Sequence, residues 1–286
     1  MKSFNFPQVI FQQSVKLFFS LSIFFFFGFQ NFAQGDLLIY PKRITFEGTQ
    51  NRVQLINLNN KGQDSARYQL SYIENRMKED GKFELIETPD PGQLIASPYL
   101  RFYPRIITLA PNETQVIKIQ LIKTGELETG EYRSHLYFRP IKDLKAIEST
   151  EIEKEKPEGI SLSLEPVYGI SVANIIRIGK PQANIHLSNL NFETFNDSIP
   201  IISMDFNRSG NASSYGDLKV LHVSTVGIET IVGELKGFAV YTPGTLRKAR
   251  MKLKVLEEVN YKTGTLVLSY TSQETKKLYA EASLDL

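Results

Sequence analysis

Cysteine is absent from all 286 residues, which excludes disulfides, thiolate chemistry, cysteine zinc sites and lipoprotein anchoring. Packing and backbone ladders alone must hold this chain folded. Histidine is scarce: His135, His186 and His222 fall in different predicted strands, and none has a second ligand at metal spacing. Each is expected to be an ordinary strand histidine, with no metal and no other cofactor. No glycine-rich phosphate loop leads from a strand into a helix, no G-x-S-x-G elbow occurs, and no carboxylate pair stands out from the surface background. An enzyme is not expected. Beyond residue 29 no stretch is long and apolar enough to span a bilayer, so stable membrane insertion is not expected either.

The first 35 residues read as a leader. Lys2 and Lys16 precede the apolar run Leu17 to Phe29, 13 residues long, and Ala33-Gln34-Gly35 places small residues two apart. That order of basic, apolar and small residues is expected of a cleaved secretory signal peptide, with the mature chain starting at Asp36 or at Gln34. An uncleaved anchor is the alternative. Residues 1–35 carry two lysines and no acids, so 31 of the 33 Lys and Arg remain against 31 Asp and Glu, a formal charge of zero. The whole-chain pI near 8.5 is therefore no argument for nucleic acid, and no later basic cluster has aromatic residues interleaved.

What the chain does have is alternation. Period-two apolar patterning recurs in short stretches, and no helical period is sustained, which makes this an all-β chain. The first set of predicted strands is Leu37–Tyr40, Ile44–Phe46, Arg52–Leu58, Tyr68–Glu74, Leu100–Thr108, Thr114–Ile122 and Tyr132–Phe138. Turn signals at Glu79-Asp80-Gly81, Pro89 to Gly92 and Pro111-Asn112 separate them. The second set is Ala183–Phe192, Pro200–Asn207, Lys219–Thr225, Ile228–Leu235, Arg250–Leu256, Gly264–Thr271 and Lys277–Leu286. Each set suits an immunoglobulin-like sandwich. The pattern breaks at Gly179 and Pro181, so the expected domains are 36–178 and 179–286, after a signal peptide at 1–35.

Between the sets lies the run KDLKAIESTEIEKEKPE, residues 142–158, with 10 charged residues in 17. It gains too little burial to offset its ordering entropy and is expected to be a solvated loop. Directly behind it Ile160, Leu162 and Leu164 alternate with serines, and the same parity continues through Pro166, Tyr168, Ile170 and Val172. Such a row fits a strand lent to another protein. It also fits the core face of the domain's own last strand.

Three segments in order resemble the periplasmic chaperones of pilus assembly, the PapD-like family. They are Tyr40-Pro41-Lys42-Arg43-Ile44-Thr45-Phe46-Glu47-Gly48 with Val53 to Leu58; Ser97 to Pro104 with Leu109 to Pro111, Thr114 to Ile119 and Gly130 to Leu136; and the alternating segment 159–176. The resemblance implies two immunoglobulin-like domains set in an L and a protein of the periplasm. Its implied work is to stabilise pilin-like subunits by donor-strand complementation and to deliver them for fimbrial assembly, with an outer-membrane usher as an optional partner. It further implies that Ile160, Leu162 and Leu164 enter the subunit's groove. Arg43 would clamp the subunit's terminal carboxylate, although the residues alone read equally as a solvent-facing arginine. The family's second clamp, a lysine, would fall at Ser171 or Ala173, and neither is basic. The alternative function is a structural or adhesive two-sandwich surface protein without chaperone activity.

Overall fold

The computed structural model describes residues 37–141, 169–196 and 198–286. The expected leader, the charged run 142–158 and the expected anchors Ile160, Leu162 and Leu164 lie outside the described residues.

Two sheets make the first sandwich. One has the order β1 (Leu37–Tyr40), β3 (Val53–Asn60), β8 (Thr114–Leu121), β6 (Leu100–Tyr103). The other runs β2 (Arg43–Glu47), β10 (Ile170–Ile178), β9 (Gly130–Pro140), β4 (Ala66–Met77), β5 (Phe83–Ile86), and β7 (Ile106–Leu109) shares the outer edge of β4 with β5. Leaving aside the crossing strands β2 and β7 and the edge strand β5, this is the four-on-three arrangement of an immunoglobulin-like sandwich. Strict alternation builds its core. In β8, Ile117, Ile119 and Leu121 are fully buried while Lys118 and Gln120 face out. Each such aliphatic contributes about 1.5–3 kcal/mol on burial.

The second sandwich pairs a three-stranded sheet, β11 (Ala183–Phe195), β12 (Ile199–Gly210), β15 (Leu246–Lys252), with a four-stranded one, β14 (Glu229–Val240), β13 (Ser214–Val223), β16 (Thr265–Ser272), β17 (Leu278–Asp285). All of these strands pair antiparallel. Phe206, Phe238 and Tyr270 meet at its centre, with Phe206 and Phe238 rings 4.4 Å apart. Residues 37–286 form one compact unit.

Two expectations about elements need correction, and one strand is added. The stretch Leu100–Thr108 is two strands on different sheets, because Pro104 lacks the N–H needed to continue a ladder and the chain crosses there. The strand expected at Arg250–Leu256 is β15, Leu246–Lys252. The short β5 has no counterpart among the expected strands; it is a four-residue, mostly exposed edge strand. Of the expected strand 159–176, the part from Ile170 onward is β10, and Val172 is packed in the first sandwich's core.

Candidate functional site

Parity puts a charged and aromatic face between the sandwiches. On β2, Ile44 and Phe46 point into the core, so Arg43 and Thr45 face the second sandwich. Val172 and Ile176 of β10 do the same, which turns Ala173, Ile175 and Arg177 to the seam. On β9 the seam residues are Glu131, Arg133 and His135, all buried. The second sandwich answers with Ser213, Tyr215, Ala239, Tyr241 and Glu274, and Ile175, Ala239 and Tyr241 form a small apolar cluster there.

Arg177 is the hub of this face. Its Nε donates to Glu131 Oε2 at 3.0 Å, and its Nη1 reaches Glu47 at 3.0 Å and Glu274 at 2.8 Å. Burial works against its charge, yet Glu131 and Glu274 outweigh burial and hold its pKa above the ordinary guanidinium range. The other oxygen of Glu131 accepts from the backbone N of Ser213 at 3.1 Å and from its hydroxyl. A fully buried carboxylate thus ties β9 to the second sandwich.

Arg43 is placed differently. Its side chain is only 10% exposed, so it is not the solvent-facing arginine its sequence context allows. The guanidinium lies over the Tyr215 ring, 4.3 Å from the centroid, and its Nη2 is 3.4 Å from Glu274 Oε1. Among the described residues none of its three nitrogens has a hydrogen-bond acceptor. Buried donors left without acceptors cost about 1–3 kcal/mol each, and more when charged. The group that best satisfies a planar guanidinium is a carboxylate accepting two parallel bonds.

The two positions expected to carry the absent lysine are now distinct. Ala173 is the register partner of Arg43 on one side and of His135 on the other, and Ser171 lies two residues out, opposite Tyr137. His135 cannot supply a cation in their place. Burial, and then the charge of Arg133, push its pKa down to about 3, and its ring packs against Phe83 at 5.2 Å. Arg133 stands over the Tyr241 ring at 4.6 Å, but its Nη2 is committed to the carbonyls of Asn75 and Thr242, both at 3.2 Å. Arg43 is therefore the seam arginine whose three nitrogens are all buried and all without an acceptor.

The edge beside Arg43 is open. Strand β2 pairs with β10 in parallel only from Arg43 and Ala173 onward. Upstream, Ile170, Ser171 and Val172 pair with Phe138, Tyr137 and Leu136 of β9 on one side, and no strand pairs with them on the other among the described residues. Tyr215, Tyr241 and Glu274 carry no signal in the local sequence. They come from turns and strands of the other sandwich, and only the seam brings them to Arg43.

Among the described residues no cluster of His, Asp and Glu could hold a metal, and no helix is long and apolar enough to cross a membrane. The chain is an all-β protein of two sandwiches whose shared face carries one buried, acceptor-free arginine at an open strand edge. In the course of its chain it is similar to solved structures of chaperones. One is the YadV chaperone, at 11% identity over 88% of this chain and 100% of that one, with a TM-score of 0.42. Another is the E. coli chaperone DraB, at 12% identity, 87% and 96% coverage and a TM-score of 0.42. A third is a chain from the Salmonella enterica complex of SafA pilin with the SafB chaperone, at 13% identity, 89% and 98% coverage and a TM-score of 0.37. No protein-family model matches the chain, nor does any curated protein. Each TM-score is below 0.5, so what the protein does has to be argued from its own residues.

Proposed function

We propose that this protein is a periplasmic chaperone that holds pilin-like subunits by lending them a strand and delivers them for assembly into fimbriae or a related surface appendage. The observation that carries the proposal is Arg43, buried, without a hydrogen-bond acceptor, and set where the open edge of β10 begins. A strand added beside Ile170 to Val172, in the lane of β2 and running the same way as β10, would bring its C-terminal carboxylate against the guanidinium. Backbone hydrogen bonds would give such a complex affinity, and alternate side chains would give it register.

In this proposal the lent part is the alternating row ahead of β10. Ile160, Leu162 and Leu164 stand in the same parity as Val172, which is already a core residue of the first sandwich. In sequence, the row therefore continues the parity of the core-facing residues of β10. Three large aliphatics entering a subunit's groove supply roughly 5–9 kcal/mol gross before ordering costs. The carboxylate is gripped by Arg43 without the family's lysine, for which this chain has Ser171 and Ala173.

The test is co-purification from the periplasm, with mass spectrometry of whatever is held. The double substitution Ile160→Asp and Leu162→Asp should abolish retention of the subunit while the chaperone remains folded. Loss of folding together with retention would make the row ordinary core. Surface exposure of a protein that retains no subunit would favour a structural or adhesive role.

A further inference from the structure

Glu274 touches Arg43 in an unusual way. One oxygen, Oε2, is hydrogen-bonded to Arg177 at 2.8 Å, while the other, Oε1, stands 3.4 Å from Arg43 Nη2, within ion-pair range, and Arg43 has no hydrogen-bond acceptor. The carboxylate is thus held by Arg177 and only leans on Arg43. It neutralises the guanidinium without consuming its donors. Its position is built into the turn between β16 and β17: Gln273 N donates to Tyr215 O at 3.1 Å, Thr275 N donates to Ser272 Oγ at 3.1 Å, and Lys276 takes a left-handed φ of 60°. That turn fixes Glu274 and Tyr215 relative to each other, and Tyr215 is the ring on which Arg43 lies.

We infer that Glu274 is an intramolecular competitor for Arg43, a carboxylate of this chain that occupies the electrostatic place of an incoming chain terminus and sets how tightly that terminus is held. The inference rests on the proposed capture of a carboxylate at Arg43. An arriving carboxylate has to uncover the buried guanidinium, whose donors have no acceptor, and it also meets a negative oxygen already beside Nη2. It must share the cation or push the side chain of Glu274 aside, and that side chain is 41% exposed with room to turn outward. Without this competitor Arg43 would hold carboxylates more tightly and release them less readily. A protein that must hand its cargo on is served by such a check.

The experiment compares two synthetic strand peptides of alternating valine and threonine, one ending in a free carboxylate and the other in an amide, bound to the full chain. Wild type should prefer the free carboxylate, and Arg43→Ala should erase the preference. Glu274→Gln should raise the preference roughly two- to fivefold, the scale of a partly exposed ion pair. Glu47→Gln is the control: it also removes a carboxylate from Arg177 but does not touch Arg43, and it should leave the preference unchanged. If wild type binds both peptides alike, or neither, carboxylate capture itself is wrong and the inference falls with it. If wild type has the preference and Glu274→Gln does not raise it, competition alone is wrong. An equal effect from Glu47→Gln would assign the change to loosening around Arg177, and would also overturn the inference.

Discussion

Two buried arginines on one face of the same sheet have opposite relations to stability. Arg43 has its donors unmet, so replacing it with methionine, which keeps much of the apolar contact with Tyr215, should leave the unfolding free energy within about 1 kcal/mol of wild type. Subunit retention should nevertheless be lost, and urea unfolding beside co-purification checks both halves. His135 makes a prediction in pH. Its folded pKa is depressed to about 3 while the unfolded value is about 6.5, so below that value the unfolded chain binds a proton that the folded chain refuses. Its cost is absent above about pH 6.5 and grows by about 1.4 kcal/mol per pH unit as the pH falls toward 3. His135→Phe should remove that slope between about pH 6 and 5, measured by urea midpoints. The residue pattern around Arg43 is legible in the sequence. That its guanidinium is buried is not, because the covering ring is Tyr215, 172 positions away along the chain.

Among the elements, the hairpin of β4 and β5 has a part its sequence does not announce. Its turn, Glu79-Asp80-Gly81, reads plainly as a turn, but its tip grips the second sandwich: Lys248 N donates to Glu79 O at 2.7 Å, and the two side chains pair at 2.9 Å. Gly81 has a φ of 80°, and a Cβ there would come within 2.5 Å of the Arg247 guanidinium. Gly81→Ala should therefore cost about 1–2 kcal/mol from the left-handed backbone alone. Displacement of Arg247 adds to this, and denaturant titration reads the sum. Strand β10 shows the other limit of pattern reading. Its apolar row is continuous with Ile160, Leu162 and Leu164 in parity, so periodicity cannot say where the sandwich's own strand begins; the pairing with β9 starts at Ile170. Likewise Leu100–Thr108 is one apolar stretch by composition, and only the crossing at Pro104 divides it between sheets.

Taken whole, the molecule is joined through a polar seam as much as an apolar one. Glu131 is fully buried, bonded to Arg177 on its own sandwich and to Ser213 on the other. Arg177→Met would leave that carboxylate without its cation, and should destabilise the protein by about 3–5 kcal/mol, read as a lowered urea midpoint. The contrast with Arg43→Met separates an arginine whose charge is matched from one whose donors are unmet. The all-β class, the two sets of strands and the inward row of the alternating strands were determined by the sequence by itself, because period two in a strand is a local property of the backbone and survives without knowledge of neighbours. The tertiary structure alone decided which faces meet: that Ala173 rather than Ser171 lies beside Arg43, that His135 stays neutral, and that Glu274 leans on the arginine. Those facts depend on burial and on charges brought together from opposite ends of the chain, and neither is encoded in any short stretch of residues.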